Sequence, residues 1–190
     1  MELTSRDQRV ESGWALARDL PRPRKLAVAA VAGALAVASV IRFGLSGRAI
    51  VDSIFAAALV LLTAIDLERR LIPNLIVLPA TALILALQIA LFPDRTLEWF
   101  LASLGAALFF LIPALIFPAG LGMGDVKLAA LLGAALGKSV VAAIFVGVLS
   151  AALVSLAILA REGLGARKKA IPYGPFLALG GVVVMLLGGR

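Results

Sequence analysis

Long apolar runs separated by short polar connections fill the chain from residue 26 onward. An α-helix rises ~1.5 Å per residue, so about 20 apolar residues span the ~30 Å hydrocarbon core of a bilayer. The fifth run reaches only about 18 Å, so it either starts deep within the protein or is re-entrant. The pattern predicts an all-α polytopic membrane helix bundle with six or seven transmembrane helices. The seven runs are Leu26–Phe43, Ala49–Ile65, Ile72–Phe92, Leu97–Phe117, Val126–Gly137, Val140–Ala160 and Tyr173–Gly189.

Composition supports a membrane protein and narrows the available chemistry. Of the 190 residues, 62% are hydrophobic and 15% are charged, whereas a soluble domain has about 25% charged residues. The excess apolar surface must therefore face lipid. The chain contains no Cys and no His, which excludes thiol and imidazole catalysis and the usual zinc sites. We expect no cofactor and no bound metal.

The charge distribution predicts the orientation of the bundle. The net charge is +7, but the basic residues lie between apolar runs, so we expect no nucleic-acid partner. With a cytoplasmic N-terminus and seven crossings, 13 Lys and Arg residues lie inside and five lie outside. The positive-inside rule therefore favours a multi-pass protein of the inner (plasma) membrane with its N-terminus in the cytoplasm. Residues 1–25 would form a polar cytoplasmic tail, and residues 26–190 would form one integral membrane domain.

Three aspartates lie within or next to apolar runs. Asp66 ends the second run and Asp125 begins the fifth, so the predicted topology brings both to the cytoplasmic boundary. Asp52 lies near the outer interface, and we expect it to be a hydrated interfacial residue without a functional role. Gly133 and Gly137 have the four-residue spacing of close helix packing, a spacing that chance also produces in a run rich in small residues.

Two carboxylates at similar depth suggest an aspartyl protease dyad, in which one proton is shared because adjacent anions repel each other. Gly122 and Gly124 flank Met123 just before Asp125. These glycines permit close approach of a substrate backbone, but the same residues also suit a plain turn capped by Asp125. A transporter or channel that uses Asp66 and Asp125 as a proton relay is the alternative from another class.

Three segments resemble the type IV prepilin peptidase family, the bacterial GxGD aspartyl proteases. Gly122–Leu128 is similar to the family's GxGDxKL signature, and Ala64–Asp66 followed by Leu71–Asn74 resembles its first catalytic segment. Ile171–Phe176 resembles its C-terminal stretch, and the three segments occur in the family's order. Presenilin-type proteases end instead in a Pro-Ala-Leu motif that the last apolar segment lacks.

The resemblance implies an aspartic endopeptidase that cleaves the leader from type IV or Flp-type prepilins at the cytoplasmic face. The substrate would carry a short basic leader followed by an apolar helix. Long family members also have a cysteine-rich zinc-binding segment, so this chain resembles the short form. The implied catalytic residues are Asp66 and Asp125. The implied substrate-binding residues are Gly122, Met123, Gly124, Lys127, Pro172, Tyr173 and Gly174.

Overall fold

The chain folds as a bundle of membrane helices. The structure is a computed structural model that describes residues 15, 17–116, 121–162 and 172–188. Within residues 22–188 of that set, all seven α-helices lie close to the seven predicted runs, so the predicted all-α membrane bundle is confirmed. In chain order α1 to α7 are Arg22–Phe43, Gly47–Arg69, Asn74–Leu91, Thr96–Ile116, Met123–Leu136, Val140–Glu162 and Gly174–Leu187.

Five helical stretches of the described residues are long and apolar enough to cross a membrane. The last of them, Met123–Arg161, contains both α5 and α6. Its 39 residues are too long for one crossing, and the chain bends at Gly137, which has a φ of 57°. The five stretches are Arg22–Phe43, Gly47–Arg69, Asn74–Leu91, Pro93–Ile116 and Met123–Arg161.

The short fifth run forms the centre of the bundle. Helix α5 has 14 residues and is about 21 Å long, and it packs against α3, α4 and α7. Most of its side chains are buried, including Leu128, Leu131 and Leu132. Because protein rather than lipid surrounds α5, its length does not have to match the thickness of the bilayer.

Helix α1 differs from the sequence prediction at its start and is the most exposed of the long helices. It begins at Arg22, four residues before the predicted run, because Pro21 precedes the helix and Pro23 occupies its first turn. Only 6% of its most apolar window is buried. Its contacts are with α2 and, to a smaller extent, α7, so much of its apolar surface faces outward.

Glycines allow the helix backbones to approach closely. A Cβ atom at Gly133 would lie 2.3 Å from the Ala102 carbonyl oxygen of α4, so only glycine fits there. One at Gly137 would lie 2.6 Å from the Trp99 ring. The Ser103 hydroxyl also donates a hydrogen bond of 2.9 Å to the Ala130 carbonyl across the same contact. Close packing, rather than chance, therefore accounts for the spacing of the two glycines.

Candidate active site

Asp66 lies in the last turn of α2, as the apolar pattern predicted. The helix ends at Arg69, and Arg70 adopts the left-handed conformation with a φ of 51°. The Arg70 N–H donates a hydrogen bond of 2.8 Å to the Asp66 carbonyl oxygen. This cap turns the chain sharply after Asp66. The Asp66 residue is only 6% exposed, so its carboxyl group points into the bundle.

Asp125 lies in the first turn of α5, again as predicted. Its carboxylate Oδ2 accepts a hydrogen bond of 3.1 Å from the Gly122 N–H, and its own N–H donates one of 3.0 Å to the Gly122 carbonyl. The glycine turn is therefore a helix start closed by Asp125. Gly124 is also needed for packing, because a Cβ there would lie 3.0 Å from the Ile72 side chain. Contact of these glycines with substrate stays a prediction.

The fold brings Asp66 and Asp125 together at one end of the bundle. The two carboxyl groups are close enough to interact electrostatically, although 58 residues of sequence separate them. Helix α7 begins beside them, and a Cβ on Gly174 would lie 2.6 Å from Asp66 Oδ2. The Gly174 backbone N–H approaches this carboxylate, but Oδ2 makes no hydrogen bond of normal geometry with any described residue. Asp66 Oδ2 is therefore available to accept a hydrogen bond, and it lies next to Gly174, which has no side chain.

Tyr173 adds a phenol to the same group of residues. It lies just before α7, and its ring packs against that of Phe110 with centroids 6.2 Å apart. Burial and the neighbouring Asp125 carboxylate raise the pKa of the Tyr173 phenol. The phenol therefore stays protonated at neutral pH and can donate a hydrogen bond. Pro172 is half-buried beside it.

The other predicted binding residues lie around the Asp125 turn. Met123 is 51% exposed and Gly122 is exposed, so both are accessible. The Lys127 Nζ donates a hydrogen bond of 2.6 Å to Asn74 Oδ1, which ties the start of α5 to the start of α3. Sequence reasoning did not place Asn74 or Phe110 at the site. Asn74 belongs to the segment Leu71–Asn74, which resembles a family motif, so the sequence did point to its neighbourhood. Phe110 lies in a uniformly apolar run, and nothing in that run indicates a functional residue.

The expectation for Asp52 was wrong. Asp52 is fully buried rather than hydrated. The Ser39 hydroxyl of α1 donates a hydrogen bond of 3.2 Å to Asp52 Oδ2, and Arg48 Nε lies 3.9 Å from the same oxygen. The apolar pattern placed Asp52 correctly along α2 but could not show that α1 covers it. A buried carboxylate needs such partners, and these are polar groups of its own bundle rather than water.

The structure thus defines a polytopic helical membrane protein in which two carboxyl groups from separate helices meet at one end. The type IV leader peptidase family matches residues 53–160, which include both Asp66 and Asp125. This match covers more than half of the chain, and the chain belongs to that family.

Curated relatives agree with this family. The chain is 33% identical over 161 residues to a prepilin leader peptidase/N-methyltransferase of Bacillus subtilis, covering 83% of this chain and 64% of the relative. A protein of the same name from Xanthomonas campestris is 32% identical over 164 residues, covering 81% and 55%. The chain therefore spans between half and two thirds of the length of these relatives. No solved structure matches it significantly.

Proposed function

We propose that this chain is a membrane aspartyl endopeptidase that removes the leader peptide from type IV or Flp-type prepilins. Family membership and the names of the relatives support this reaction over the transporter alternative. We assign catalysis to Asp66 and Asp125 because these two residues lie close together beside Gly174. An acidic pair with a free buried oxygen is a suitable place to hold a water molecule and a peptide carbonyl.

In the proposed reaction one carboxyl group is ionised and the other is protonated. We assign the ionised state to Asp125, because the Gly122 N–H and the positive end of the α5 dipole stabilise its anion. Asp66 lies at a helix C-terminus, where the dipole opposes a negative charge. Asp125 takes a proton from water, whose oxygen attacks the scissile carbonyl while Asp66 donates its proton to the carbonyl oxygen. The gem-diol intermediate then collapses as a proton passes from Asp125 to the leaving amine and one hydroxyl returns a proton to Asp66, which leaves a carboxylic acid product and restores both aspartates.

We further propose that the two aspartates lie at the cytoplasmic face of the inner membrane, with the N-terminus on the same side. The protein is a multi-pass membrane protein, and the basic residues between its spans support this orientation. Three of those residues, Arg167, Lys168 and Lys169, lie outside the described residues. The substrate would then be a precursor whose basic leader stays in the cytoplasm and whose apolar helix enters the bilayer.

The test is cleavage of a prepilin in membranes that contain the enzyme. We expect Asp66→Asn and Asp125→Asn each to lower the cleavage rate at least about 100-fold, since each removes one partner of the acid–base pair. Asp94→Asn is the matched control, because Asp94 is exposed in the turn between α3 and α4. A single variant that still cleaves at nearly the wild-type rate would show that the dyad is misassigned. A transporter would leave the precursor intact even with the wild-type chain.

A further inference from the structure

An apolar groove opens on the outside of the bundle between α1, α2 and α7. Its volume is about 400 Å³, and Thr63 is the only polar residue among the described residues that line it. All three helices contribute side chains, including Val31, Leu35, Val60, Ala64, Leu67 and Leu179. Because α1 and α2 are candidate membrane spans, the groove faces the hydrocarbon region. Its occupant must therefore be apolar.

The residues that line the groove include close chain neighbours of Asp66 and Gly174. Thr63 lines the groove one turn before Asp66 on the same face of α2. Pro175 lines it from α7 and follows Gly174, whose backbone lies against the Asp66 carboxylate. A segment seated in the groove would therefore end beside this carboxylate.

The shape of the groove fits one face of a helix. Its α1 wall runs from Ala27 to Leu35, which is about 12 Å or two helical turns. That length accommodates side chains at positions i, i+4 and i+7 of a docked helix. Ala64 and Ala178 in the lining are small, and small residues allow helix backbones to approach closely in membranes.

We propose that this groove binds the apolar helix of the precursor and so places the bond before that helix next to Asp66. This placement rests on the proposed proteolytic function. The closeness of the groove to Asp66 favours the substrate over a lipid chain or a second copy of this protein, since neither of those needs to end near a carboxylate.

The first experiment fills the groove with a larger side chain. Val31→Trp is compared with Val37→Trp, because both valines lie on α1 and are 49% and 58% exposed, but only Val31 lines the groove. We expect Val31→Trp to raise the KM for the full precursor at least about ten-fold, with little change in kcat. The Val37→Trp variant should match the wild type. Equal KM values for both variants and the wild type would overturn the proposed groove.

The second experiment identifies the occupant. A photoreactive p-benzoylphenylalanine replaces Val31 or Val37 in the Asp125→Asn background, which retains the precursor uncleaved. We expect a covalent adduct with the precursor from position 31 only. Adducts with lipid alone, adducts with a second copy of the enzyme, or equal yields from both positions would overturn the proposal. A wild-type enzyme that fails to cleave the precursor would instead overturn the proposed function, so the two failures are distinguishable.

Discussion

Two aspartates of α2 have opposite surroundings although both are almost fully buried. Asp52 and Asp66 are 14 residues apart, or about 21 Å along the helix, so they lie at opposite ends of the bundle. Asp52 contacts Ser39 and Arg48. Asp66 contacts the Gly174 backbone and keeps one carboxylate oxygen without a normal hydrogen bond to any described residue.

The Asp52 end is held together by paired charges. The Arg48 guanidinium lies over the Phe43 ring at 3.9 Å as well as beside Asp52. Glu98 binds Arg95 at 2.7 Å and accepts a hydrogen bond of 3.1 Å from the Lys138 N–H. At this end each of these acidic groups has a basic partner nearby. Such pairing leaves these carboxylates little free acceptor capacity for chemistry.

At the end of the bundle that contains Asp66, small residues leave space beside the carboxyl groups instead. Gly122 lies against the Asp125 carboxyl group and Gly174 lies against that of Asp66, and the groove opens nearby. The comparison teaches that burial alone does not distinguish a functional acid from a structural one. The distinction lies in whether the surrounding chain satisfies the carboxylate oxygens or leaves one of them free.

The largest expected effect is a loss of stability when Asp52 is replaced. We expect Asp52→Ala to lower the free energy of unfolding by about 3 kcal/mol, because it removes a fully buried carboxylate from beside the half-buried Arg48 guanidinium. Thermal unfolding in detergent measures this change. Asp66→Ala is the comparison, and it should leave stability nearly unchanged while abolishing cleavage. If Asp52→Ala instead abolished cleavage without lowering stability, the structural role of Asp52 would be wrong.

The next effect concerns the backbone next to Asp66. A Cβ at Gly174 would lie 2.6 Å from Asp66 Oδ2 and must displace the carboxylate. A displacement of about 1 Å at a reacting group costs about 100-fold in rate, so we expect a fall of that order in Gly174→Ala. Gly33→Ala is the control, because a Cβ at Gly33 meets nothing within 4 Å. The rate of prepilin cleavage is measured for both variants at matched expression levels. A wild-type rate in Gly174→Ala would contradict the contact between Gly174 and Asp66.

A smaller effect is expected in the core that joins the two ends. Gly133→Ala places a Cβ 2.3 Å from the Ala102 carbonyl oxygen, so α4 and α5 must separate. We expect a loss of about 1–3 kcal/mol in the free energy of unfolding, as for other overpacked cores. Gly105→Ala of α4 is the control, since its Cβ would have open space. Cleavage per folded molecule should stay unchanged, and a specific loss of activity would mean that α5 also positions Asp125 through this contact.

Periodicity and spacing predicted much of this molecule. Apolar runs located all seven helices that the structure describes between residues 22 and 188, because each helix is a nearly continuous apolar segment. The run ends also placed Asp66 and Asp125 at helix termini, and the topology brought them to one end. These features depend on local sequence and on the order of the spans.

Contacts between distant segments were not predictable in the same way. The burial of Asp52 depends on Ser39 of the preceding helix, and the surroundings of Asp66 depend on Gly174, more than 100 residues later. The groove likewise requires the relative placement of α1, α2 and α7. A single sequence carries no periodic signal for such pairings, because many apolar side chains fit the same lipid-facing or helix-facing position.

The smallest expected effect concerns Lys127, one of the substrate-binding residues that the family resemblance implies. It would either meet an acidic residue of the substrate or only fix the topology of the membrane segments. The structure adds a third contribution, because its Nζ donates to Asn74 Oδ1 at 2.6 Å and joins α5 to α3 beside the Asp125 turn. An exposed hydrogen bond contributes about 0.5–1.5 kcal/mol.

We therefore expect Lys127→Met to lower kcat/KM for the precursor by about two- to five-fold, which corresponds to roughly 0.5–1 kcal/mol. Lys138→Met is the matched control, since Lys138 lies at the Asp52 end. Lys127→Glu then separates the remaining roles. A much larger loss with Lys127→Glu, rescued by a precursor whose acidic residue is changed to Lys, would indicate direct contact with the substrate. Equal losses in Lys127→Met and Lys127→Glu would mean that Lys127 acts through Asn74 alone.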